Sequence, residues 1–234
     1  QACPPRHGAP GLLAPARGLA SRRRGWPLAM GSACGAAGGG GGVHALTSAV
    51  RSDEVGKARA TLKFKDNKEL LFGHTPLHVC AAEGSHGVCE VLLKARASVE
   101  QADASGDTAL HVALSSAARD ALRVAQLLVA AKSSLSTKGA GGKTALHIAA
   151  RSGVLGAVQL LVSAKADIRE ADFEGDTPLH DAAREGHLTT AQELINSHAA
   201  PDMVNAQRRS PLHLAAYWGH EGVVELLLGQ MVGP

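Results

Sequence analysis

Thr75-Pro76-Leu77-His78 returns four times along the chain, as Thr108-Ala109-Leu110-His111, Thr144-Ala145-Leu146-His147, Thr177-Pro178-Leu179-His180 and Ser210-Pro211-Leu212-His213, at intervals of 33, 36, 33 and 33 residues. Self-similarity at such a period marks a stacked array, in which each unit buries its apolar face against its neighbours. The tetrapeptide itself starts a helix. Thr or Ser offers an oxygen to an unpaired amide of the first turn, and Pro at the next position brings a preset φ and no N–H to leave orphaned.

Working outward, each copy runs on into small residues, a turn and an apolar triplet. The fullest is Ser210-Pro211-Leu212-His213-Leu214-Ala215-Ala216-Tyr217-Trp218-Gly219-His220, continuing to Val223-Val224-Glu225-Leu226-Leu227-Leu228. This pattern closely resembles the ankyrin repeat family, over roughly residues 73–228. The resemblance implies an all-α solenoid of stacked helix pairs with short hairpin loops. It also implies that the repeats bind other proteins, and that Thr75, His78, Thr108, His111, Thr144, His147, Thr177, His180, Ser210 and His213 are structural, each imidazole hydrogen-bonding within and between repeats. His187 and His220 match the family's Gly-His turn.

Composition fits thin layers. Hydrophobic residues make up 45% of the chain but aromatic ones only 3%, so the core is built of Ala, Leu and Val. Residues 1–42 hold five Arg and no acid, which leaves 19 basic against 21 acidic residues in the remainder. A near-neutral array argues against nucleic-acid binding by the repeats, which needs a basic stripe. No run of eighteen apolar residues is present to span a membrane. Cys3, Cys34, Cys80 and Cys89 show no disulfide or zinc spacing and no glycosylation sequon occurs, which reads as a cytoplasmic and/or nuclear chain.

Residues 1–42, rich in Gly, Pro and Arg, lack the apolar surface to offset ordering and read as a disordered tail. Arg22-Arg23-Arg24 is short for a nuclear-import patch and reads more simply as solvated. The acid-free start is similar to an organellar transit peptide, except that prolines and glycines spoil an amphipathic helix. If translation starts at Met30, Gly31 becomes an acylation site beside Cys34, although Gly35 stands where Ser or Thr is expected.

Residues 43–72 read as a degenerate capping repeat with an apolar face but no Thr-Pro-Leu-His start. Five repeats follow, at 73–105, 106–141, 142–174, 175–207 and 208–234. Each opens on a Gly two residues before the cap, except the last, where Arg208 predicts a less regular turn. From motif His to the central residue of the apolar triplet the distance is 14 residues for Leu92, Leu161, Leu194 and Leu227 but 17 for Leu128. The three extra residues of the 106–141 repeat therefore lie between its helices, in Ser115 to Leu122, as a longer turn or a partner contact. The 208–234 repeat reads as truncated: its pattern is fully internal, so its outer face is expected to be left uncovered, as in a fragment or an end covered by a partner.

Little here points to chemistry. The motif histidines are a repeat feature and lack zinc-ligand spacing. Cys80 and Cys89 match positions that are Ala215 and Val224 in the last repeat, so they read as core residues rather than redox groups. Gly141-Gly142-Lys143-Thr144 ends like a phosphate loop but has Thr137 where the first Gly belongs. No nucleophile motif or pair of catalytic acids emerges, so the sequence is read as a non-enzyme without cofactor or metal.

The remaining signal is surface. In the ankyrin family partners meet the concave face, formed by loop tips and exposed first-helix positions. That stripe is small and bland early, then gathers Arg151, Phe173, Arg184, Arg208, Arg209, Tyr217 and Trp218, the composition of interface hot spots. These seven are the candidate contacts of a scaffold, adaptor or inhibitor whose partner is one or more proteins. Two other readings stand beside it: a substrate-recruiting or regulatory segment of a larger enzyme or channel, and a nuclear regulator that binds transcription factors.

Overall fold

The structure, a computed structural model, describes residues 74–231, which fall within one of the chain's two units, Gly38–Pro234. The tail, the capping repeat, Arg22 to Arg24 and the Met30 to Cys34 stretch lie outside the described residues. Among the described residues ten α-helices form five antiparallel pairs: α1 Pro76–Glu83 and α2 His86–Lys94, α3 Ala109–Ser115 and α4 Ala121–Ala130, α5 Ala145–Ser152 and α6 Leu155–Ser163, α7 Pro178–Glu185 and α8 Leu188–Asn196, α9 Pro211–Trp218 and α10 Glu221–Met231. There are no strands among the described residues, only an isolated bridge between Ala102 and Thr108. First helices pack in sequence, α1 on α3, α5, α7 and α9, and second helices form a parallel layer from α2 to α10.

The repeated motif does what its chemistry dictates. Each Thr or Ser cap bonds the backbone three residues on, and the motif His reaches back to the cap, a capping box with His in the place usually held by Glu. The core is a ladder of leucines, Leu77, Leu110, Leu146 and Leu179 on the first helices and Leu92, Leu128, Leu161, Leu194 and Leu227 on the second, all fully buried. Each contributes roughly 2 kcal/mol by leaving water. Small residues between them, such as Ala113, Ala149, Ala182 and Ala215, let the helices approach.

Two expectations change. Cys80 and Cys89, read as having no disulfide spacing, are joined as a disulfide between α1 and α2, with Cα atoms 5.8 Å apart. The pair is nine residues apart in sequence, and the packing of the two helices, not a short-range motif, brings the sulfurs together. Second, the turn at Arg208 is as regular as the others. Arg208 takes φ +59°, beside +86° at Gly106 and +78° at Gly175, and its amide donates to the Asn205 carbonyl at 2.8 Å as Gly175 does to Asp172. The Asn205 side-chain oxygen accepts from the Gln207 and Arg209 amides, substituting for Asp172 in the preceding turn. The three inserted residues fall in the turn between α3 and α4 and add no helical turn. α3 stops at Ser115, and Ser116 extends so that its hydroxyl donates to the Ala82 carbonyl at 2.7 Å. In later repeats that job belongs to His187 and His220, which donate to the Arg151 and Arg184 carbonyls.

At the last described pair, Leu228 and Ala216 are exposed, and Ala216, Gly219 and Val224 line a shallow hollow.

Candidate protein-binding face and the charge network behind it

The histidine ladder is the array's internal scaffold. In each of the first four repeats the cap amide donates to Nδ1, so the ring proton sits on Nε2, which donates to a backbone carbonyl of the next repeat. The distances are 2.9 Å from His78 to Asp107, 3.1 Å from His111 to Lys143, 2.9 Å from His147 to Asp176 and 3.1 Å from His180 to Arg209. Burial lowers the pKa of all four, against the carbonyl contacts that raise it, and keeps the rings neutral. These histidines are therefore committed to structure. Among the described residues no three His, Cys, Asp or Glu side chains are grouped to hold a metal ion, and no helix is long and apolar enough to cross a membrane.

Behind the C-terminal half lies a charge network that the repeat pattern does not announce. Lys143 Nζ donates to Asp172 Oδ2 at 2.7 Å and to Asp181 Oδ2 at 2.8 Å. Arg184 donates to Asp181 Oδ1 at 3.2 Å and to Asp176, whose other oxygen accepts from Asn205 Nδ2 at 2.8 Å. All three carboxylates are buried, and the network joins the repeats that begin near Gly142 and Gly175 and, through Asn205, reaches the turn that leads into the repeat at Arg208. Burial opposes the charge on Lys143, but Asp181 and Asp172 outweigh it and its pKa is raised. Burial likewise works against the Asp172 carboxylate, and the Lys143 ammonium overcomes it, so its pKa is lowered. The available signal was Asp181 itself, at a register position that is Val79, Val112, Ile148 and Leu214 elsewhere.

The seven candidate contacts divide by this geometry. Phe173 at a loop tip is 76% exposed, with the edge of its ring against Gly142, where a Cβ would collide with it. Tyr217 and Trp218 end α9, 69% and 55% exposed, their rings edge to face at 5.3 Å. Arg208 and Arg209 are exposed on the loop that leads into α9. Arg151 is half exposed and lies 3.5 Å from Glu185. Arg184 turns inward and spends its guanidinium on Asp176 and Asp181.

A solenoid of capped helix pairs with a buried histidine ladder and a variable loop-tip face defines a protein-interaction repeat. Comparison agrees: the family model for ankyrin repeats, which spans three copies of the repeat, matches at residues 46–136, 114–204 and 170–233. The chain belongs to the ankyrin-repeat family, and the array is a protein–protein interaction module. A comparison with curated proteins gives no match.

Proposed function

We propose that the array is a noncatalytic binding module, acting as scaffold, adaptor or inhibitor, whose partner protein contacts the loop-tip and first-helix face of its C-terminal half. One observation carries this. Every Phe, Tyr and Trp among the described residues, namely Phe173, Tyr217 and Trp218, is on the surface, while the core is packed without them. Large rings held in water forgo burial, and rings on a rigid support are what interface hot spots are made of. Arg208 and Arg209 extend the patch, Arg151 borders it, and Arg184 supports it from behind through Asp176 and Asp181.

The test compares protein capture by the native chain and a Tyr217→Ala/Trp218→Ala variant with matched helicity and melting. Loss of one defined partner, with its Kd weakened by about 30-fold or more as truncation of a hot spot requires, supports the assignment. Unchanged capture removes the aromatic patch from consideration.

A further inference from the structure

Four of the five repeats place two small apolar residues where the first and second helices cross: Ala113 with Ala125, Ala149 with Val158, Ala182 with Ala191, and Ala215 with Val224. The first repeat places Cys80 and Cys89 there, both with no exposed surface. We propose that this pair is an oxidative modification site, a reversible staple between α1 and α2 that sets the order of the first repeat and of the loop seated on it.

Both redox forms fit the fold. Reduced, the two thiols are small apolar side chains at positions filled by Ala or Val in the other repeats, and the Leu77 carbonyl lies 3.3 Å from the Cys80 sulfur as an acceptor for its S–H. Oxidised, a Cα separation of 5.8 Å lies at the usual value for a disulfide and needs no backbone movement. Bond formation converts two thiols to one disulfide. The two protons and two electrons pass to a low-molecular-weight disulfide, whose S–S bond breaks to give two thiols. Because both sulfurs are buried, exchange proceeds only when α1 and α2 part, so the bond acts on that opening.

The consequence reaches the second repeat. Gly84, in the turn between α1 and α2, lies so close to Ala118 that a Cβ there would sit 2.7 Å from the Ala118 side chain. Ser116 donates to Ala82 and accepts from the Ala118 amide at 3.0 Å. The inserted loop thus rests on the stapled pair, and loosening one loosens the other.

The experiment equilibrates the full chain in oxidised and in reduced glutathione, maps the linkage by peptide mass, and follows amide hydrogen exchange in both forms. A Cys80→Ala/Cys89→Val variant, carrying the residues of the last repeat, provides a folded control without the dithiol. The proposal expects a Cys80–Cys89 linked peptide in oxidised glutathione, lighter by two hydrogens. Reduction should then lower protection in α1, α2 and the Ser116–Asp120 loop by on the order of 50-fold, the chain-entropy effect for so short a loop, and leave α7 to α10 unchanged. Absence of the linkage, equal protection in the two forms, or a redox response that survives in the control variant overturns it.

Discussion

Replacing Lys143 by Met removes the only cation that touches both Asp172 and Asp181 in the charge network, and leaves a side chain of similar length. Those carboxylates sit in the protein interior, and Asp172 keeps two backbone amides at 2.9 Å while Asp181 keeps Arg184 at 3.2 Å. Removing one partner of a buried pair costs about 3 to 5 kcal/mol, and the surviving bonds place this case at the lower end, about 3 kcal/mol at pH 7. For a urea slope of about 2 kcal/mol per molar, the unfolding midpoint followed by circular dichroism should fall by about 1.5 M. The pH dependence carries the sharper signature. In the native chain Asp172 has a lowered pKa, so its contribution is present above the ordinary carboxylate range and is lost as pH falls through the folded value. Without the ammonium the buried carboxyl takes a proton more readily folded than unfolded, so the deficit of the variant should narrow as pH is lowered from about 7 towards 4. Adding Asp181→Leu, which restores the apolar character found at Val79, Val112, Ile148 and Leu214, should recover about 1 kcal/mol or more. A loss below about 1 kcal/mol at pH 7, or a deficit that stays flat with pH, refutes the argument that these charges bind the repeats together.

Two further outcomes follow from backbone strain and from the histidine ladder. Arg208→Gly relieves a left-handed φ of +59° and should raise stability by about 0.5 to 1 kcal/mol in the same urea assay, while weakening binding of any partner that uses the Arg208 side chain. His78, His111, His147 and His180 have pKa values lowered by burial, so the unfolded chain takes up protons first as pH drops through about 6.5. Stability should therefore decline steadily from pH 7 to pH 5, as seen in melting temperature. A flat profile would mean that the rings are not held neutral.

The architecture was legible because it rests on short-range rules that the chain states five times. A cap, a helix start and an apolar triplet each depend on neighbours within one or two turns, so counting from His111 to Leu128 was enough to place the insertion between two helices. What the repeat pattern concealed depends on contacts about one repeat away. The sequence marks Asp181 only as a charge in an apolar register, and its partner Lys143 lies 38 residues earlier. Arg184 shares the register of Arg151 and Tyr217, yet it turns inward because Asp176 and Asp181 are closer company than water. Cys80 and Cys89 looked unrelated by motif spacing, whereas alignment with Ala215 and Val224 places them at one helix crossing.

The position of the charge network bears on how the array would bind. Lys143 fixes the turn that begins at Asp172 and so the tip that carries Phe173, whose amide also donates to the Gly141 carbonyl at 3.2 Å. Asp176 fixes Asn205, which organises the turn holding Arg208 and Arg209. Arg184 lies in the last turn of α7, against which α9 packs with Tyr217 and Trp218 at its close. The exposed rings thus stand on the part of the solenoid where charge-assisted bonds reinforce the histidine ladder. Buried ion pairs contribute little net stability compared with apolar packing, so their physical yield here is geometric: they fix the relative placement of three successive loop tips. A face ordered in advance loses less conformational freedom on association, so on the proposed reading three rings and two arginines would support binding that flexible loops bearing the same side chains would not.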